Sequence, residues 1–265
     1  MRIRTCLHAG LAATGIAVAS VAATTTAAAT LPPSDTDQST PLPPGALVTS
    51  FVNNQFTYCS IICPLLVDTG ATALTTMRQA PEVYLTASRT NDTTTSIGIA
   101  AASVTGPTDA AAERAILADG TLVAPRALNA FEVGVVGLLD VGTAAANGLP
   151  TAGPVETARQ DTYAALHAPI VPDPPPLATP HGVEQVTVIE AINVGAAVAF
   201  PAFNHVLSGA FQVPDAAARA LATTGDPDRA AAAAADTATG VQTAATTVVT
   251  DAITDAIGRI RAAEG

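Results

Sequence analysis

The clearest periodicity lies at the C-terminal end of the chain. Val241, Ala245, Val248, Val249, Ala252, Ile253, Ala256, Ile257 and Ile260 recur at helical spacing, while Gln242, Thr250, Asp251, Thr254 and Asp255 fall on the opposite side. Asp226-Pro227 supplies a cap followed by proline at the first helical position, which predicts a helix from there to about Ala263. Asp255 and Arg259 form an acid-first i,i+4 pair on it. Its apolar stripe is β-branched and lacks aromatics, so it is expected to be buried against another helix, Ile253 included, rather than laid on a lipid surface.

Upstream, apolar runs alternate with proline and glycine. A first element begins near Ala46 and carries Leu47, Phe51, Phe56 and Cys59. Pro64 is expected in the first turn of a second segment, residues 65–78, which ends before Pro81; a further helix covers 82–88, and 91–95 is a polar turn. Asp109 is expected to cap residues 110–118, with Asp119-Gly120 as the stop. Pro125 opens residues 126–146, ended by Asn147-Gly148, and Pro154 opens 155–168. Between Pro169 and Pro180 there are six prolines, which no helix accommodates. Residues 183–200 are apolar with Glu190 and Asn193 embedded; Pro201 kinks or breaks them, and Pro214-Asp215 starts a short helix. The expected organisation is a helical region over 46–168, a proline-rich linker over 169–182, and a second helical region over 183–265. The linker either separates two domains or carries the chain across one bundle.

Composition sharpens this picture. The chain is 49% hydrophobic but only 3% aromatic and lacks Trp, so Ala supplies much of the apolar count. Ala is the best helix former and buries little area per residue, which predicts an all-α bundle of Ala-rich helices in close contact. At the N-terminus, Arg2 and Arg4 precede an apolar stretch over 7–23, then Ala27-Ala28-Ala29 and Leu31-Pro32-Pro33. This predicts a cleaved signal peptide over 1–29, a mobile linker over 30–45, and export to the envelope or beyond. Cleavage removes two arginines and no acid, taking 11 basic and 22 acidic residues to 9 and 22, a net charge of −13. Such a charge disfavours nucleic acid as a partner. All basic residues are Arg, and in whole-chain composition the sequence resembles the alanine-rich exported proteins of high-GC bacteria, a likeness that transfers no functional residue.

Candidate chemistry is sparse. Cys59 and Cys63, one helical turn apart in an exported chain, are expected to bond to each other as a local staple; free thiols, an intermolecular bond and a redox pair are the alternatives. Leu65-Leu66-Val67-Asp68-Thr69-Gly70-Ala71-Thr72, with Val135-Val136-Gly137-Leu138 downstream, resembles the signature of retroviral-type aspartic peptidases. The resemblance implies a homodimer in which a strand and tight turn deliver Asp68, Thr69 braces its carboxylate, and Gly70 admits the partner. Glu132, Asp140, Glu190, Asn193, Asn204 and His205 interrupt apolar segments and need partners if buried. His181 and Glu184 are read as a loop residue and a charge at a helix N-terminus. With no phosphate loop or nucleophile elbow, no cofactor or metal site is expected. The expected function is a non-enzymatic envelope or secreted interaction protein, with the peptidase as the alternative. Its partner would be another protein or a second copy, with peripheral envelope association. Residues 186–211 are long enough to span a bilayer, but their polar residues argue against a transmembrane helix.

Overall fold

Alanine costs no side-chain entropy in a helix, and in the computed structural model, which describes residues 41–265, nearly all of the chain from Ala46 onward is helical. The predicted signal peptide and all but the end of the predicted linker lie outside the described residues. The helices are α1 (Ala46–Ala87), α2 (Thr93–Ala118), α3 (Ala124–Ala146), α4 (Ala152–His167), α5 (Gly182–Ala197), α6 (Phe203–Thr224) and α7 (Pro227–Ala263). Single π-helical turns, Asp119–Val123 and Val198–Ala202, join α2 to α3 and α5 to α6, so each pair is one continuous rod. The described residues thus form an all-α bundle of five rods, without strands.

Three rods are longer than the sequence predicts. Pro64 and Pro81 lie inside α1, Pro107 and Asp109 inside α2, and Pro214 inside α6. Asp109 therefore caps nothing; α2 begins at Thr93, within the predicted polar turn, and its cap is Asp92, which accepts from the Thr95 amide at 2.9 Å. All four prolines lie on exposed faces of their helices, away from the contacts between rods. At Asp119-Gly120 the chain widens into a π turn instead of stopping, and Pro201 does the same at the other junction. The stop at Gly148 forms as expected, with a positive φ of 67°, and Gly225 ends α6 in the same left-handed conformation (64°).

The rods pack side by side in the order α1, α2–α3, α5–α6, α7, each against the next. Helix α4 folds back on α3 and touches α1. The proline-rich stretch does not separate two bodies: α2 packs on α6 and α3 on α5 across it, and it straps over the bundle through Asp173 N–H to Thr121 O (3.0 Å) and Asn129 Nδ2 to Pro175 O (3.0 Å). Close approach relies on glycine. A β-carbon at Gly98 would overlap the backbone nitrogen of Ala222, and one at Gly137 would come within 2.6 Å of the Ala158 Cβ. Apart from Tyr58, Val136 and Ile189, every buried apolar residue described is alanine.

Candidate functional site

The interior is where the polar chemistry lies. Between α2 and α6, Thr105 donates to Asp215 at 2.8 Å, Arg219 pairs with the same carboxylate, and Ser208 and Gln212 donate to Glu113 at 2.8 and 3.1 Å. Burial, then the charges of Asp215 and Glu113, raise the Asp109 carboxyl, whose Oδ1 has no partner. Among α3, α5 and α7, Gln185 donates to Asp140 at 2.6 Å and Arg259 grips Glu190 through two bonds of 2.6 and 2.8 Å. Arg259 thus serves Glu190 across the bundle, in place of the i,i+4 contact with Asp255 that spacing suggested. Glu132 lies in the same cluster, 5% exposed, with Oε1 unpartnered. Burial first, and Glu190 second, push its carboxyl up to about 7 against the pull of Arg259. These groups pin rods whose alanine contacts alone carry little geometric information.

A third cluster surrounds Arg126, a residue that no sequence signal singled out. The residue is 4% exposed, and its guanidinium donates to Leu166 O at 2.6 Å, Ala168 O at 2.9 Å and the Tyr58 hydroxyl at 3.0 Å. Asn54 Nδ2 also donates to Leu166 O, at 2.8 Å. Above these groups α1 and α3 diverge, leaving an apolar groove of about 560 Å³ with α4 as its floor. Phe51, Phe131, Val135, Leu138, Val155 and Leu166 are among its walls. A second cavity, about 830 Å³, lies between α3, α4 and the proline strap, with Asp140, Asp161 and His181 on its wall. No group of three metal-ligating side chains converges among the described residues.

The sequence-selected residues are placed as follows. Cys59 and Cys63 are bonded to each other across one turn of α1, with α-carbons 5.1 Å apart. Asp68, Thr69 and Gly70 sit in mid-α1, so the strand and tight turn that the peptidase resemblance implies are replaced by helix. The Asp68 carboxylate pairs with Arg114 at 2.7 Å on the surface, and the Thr69 hydroxyl donates backward to Leu65 O at 2.9 Å instead of bracing it. Gly137, of the downstream element, is a packing residue against α4. His181 precedes α5, its amide held by Gln185 Oε1 at 2.8 Å, and Glu184 lies in the first turn of α5. Comparison with protein-family models, curated proteins and solved structures finds no match.

The exterior is the reverse of the interior. Val48, Val52, Phe56, Leu66, Val67, Leu74, Met77 and Leu85 on α1 are all exposed, Phe56 by 72%. So are Val198, Phe200, Phe203, Val206 and Leu207 at the α5–α6 junction. Three rods (46–87, 93–146 and 182–224) are long and apolar enough to cross a membrane by length and composition, where the sequence singled out residues 186–211 alone. Of their charged residues, Arg126, Glu132 and Glu190 are buried, whereas Asp68, Arg78, Glu82, Arg114 and Arg219 are exposed.

Proposed function

We propose that this chain is an exported, non-catalytic protein of the cell envelope that works by apolar association, its outward helix faces covered by other apolar components of the envelope. One observation carries the reading: large apolar side chains face outward while Arg126, Glu132, Glu190 and Asp215 face inward. A water-soluble monomer rarely exposes contiguous apolar surface on this scale, because each exposed large side chain forgoes about 1.5–3 kcal/mol of burial. Threonine accentuates the pattern. On α7 the hydroxyls of Thr239, Thr243, Thr246, Thr250 and Thr254 donate to carbonyls one turn back, which satisfies them without water. The N-terminal tripartite pattern supports export.

Fractionation of expressing cells tests this. The protein is expected in the envelope fraction, released by detergent and retained in high salt, since salt screens charge and leaves apolar burial intact. Release by salt alone, or recovery from the medium without detergent, would contradict the reading.

A further inference from the structure

We infer that the groove between α1, α3 and α4 binds a single-chain amphiphile with a carboxylate head, of the fatty-acid class. Two independent observations meet there. The first is shape: the groove follows α1 from Leu47 to Tyr58 and α3 from Ala127 to Val141, about 17–21 Å at 1.5 Å per residue. Its volume of about 560 Å³ falls within the range of small-molecule sites. The second is charge. Arg126 is buried behind Tyr58 at one end of the groove, off its wall, and pairs with no carboxylate among the described residues. The Leu166 and Ala168 carbonyls at the end of α4 offset part of its charge, since a helix C-terminus is worth about half a negative unit. The remainder calls for an anion.

Tyr58 connects the two. It lines the groove, and its hydroxyl accepts from Arg126, which leaves its own proton to donate. A carboxylate at this end takes that proton in a hydrogen bond strengthened by the arginine behind it. The alkyl chain then runs along Phe51 and Phe131 toward Leu138 and Val155. The helices converge from opposite directions: α1 runs parallel to α4, with Leu42 near Glu156 and Asn54 near Leu166, and α4 returns antiparallel to α3. Asn54, Tyr58 and Arg126 therefore gather at one end, while Arg159 at the other is already occupied by Glu156 and the Leu42 carbonyl. This inference is independent of envelope association, because a site for one molecule is measured separately from coverage of the outer faces.

The test uses the full chain and a dodecanoic acid bearing a photoreactive group midway along its alkyl chain. Labelled peptides are expected to come from residues 47–58 and 127–141. Unlabelled dodecanoate should compete roughly tenfold or more better than dodecanol, the gain expected of a hydrogen bond to a charged group. Each methylene added from octanoate to dodecanoate should tighten competition by roughly fourfold. Tyr58→Phe keeps the ring and its packing and should remove the preference for acid over alcohol while leaving labelling by the alcohol series intact. Labelling spread over the outer faces of α1 and α6, equal competition by acid and alcohol, or a preference that survives Tyr58→Phe would each overturn the proposal. So would a dimer whose contact peptides are 47–58 and 127–141, because the groove would then be filled by a second copy.

Discussion

Glu132 shows how much a single buried group can weigh in a core made of alanine. Its carboxyl titrates near 4.5 in the open chain and is pushed up to about 7 in the folded one. Between those values the folded protein holds a proton that the unfolded chain has released, so stability falls as pH rises through this window and is lowest above it. At about 1.4 kcal/mol per pH unit the loss is on the order of 3 kcal/mol. Glu132→Gln keeps the shape and removes the titration. It should therefore raise stability by up to about 3 kcal/mol at pH 8 and change it little at pH 4.5, as read by denaturant unfolding at both values. An equal effect at the two pH values would refute this assignment. The contrast with Glu190 is instructive: the same side chain at the same depth has Arg259 on both its oxygens.

At the scale of the helix, much was legible and the errors share one cause. Capping chemistry at Asp226, the glycine stop at 148, and the end of α7 at Ala263 follow from local signals that the fold obeys. Proline and Asp-Gly signals were overruled, because the cost of about 3 kcal/mol for an interior proline is local while the packing of a long rod is spread along it. Most of the α7 stripe turns inward as its spacing predicts: Ala256 is buried, Val241, Ala245, Val248, Val249, Ala252 and Ile260 are half-buried, and Gln242, Thr250, Asp251, Thr254 and Asp255 are exposed. The exceptions are Ile253 and Ile257 at its edge, and Ile253 remains 43% exposed because the contact favours small residues such as Ala230 and Ala256. Ala256→Asp should thus destabilise the bundle by several kcal/mol, and Ile253→Asp should leave the melting temperature nearly unchanged. The reverse order would show that α7 is rotated on the bundle. The site residues were the least legible. Tyr58 and Arg126 are 68 positions apart, and only the return of α3 alongside α1 brings them to 3.0 Å.

For the molecule as a whole, the unequal partition of size and polarity is the feature that organises the rest. Alanine, glycine and polar side chains occupy the contacts between rods, and Val, Leu and Phe face outward along α1 and the α5–α6 rod. Small residues permit close helix approach without any need for the hydrophobic effect inside, which is how helices associate in an apolar setting. The net charge of −13 expected after signal cleavage repels anionic surfaces, so association must rest on the apolar faces and not on charge. The central claim is that those faces are covered when the protein is at work. Light scattering on the purified full chain, with and without a mild non-ionic detergent, tests it most directly. The account predicts a defined protein–detergent particle in the first condition and self-association or precipitation in the second; a stable monomer in detergent-free buffer at micromolar concentration would contradict it.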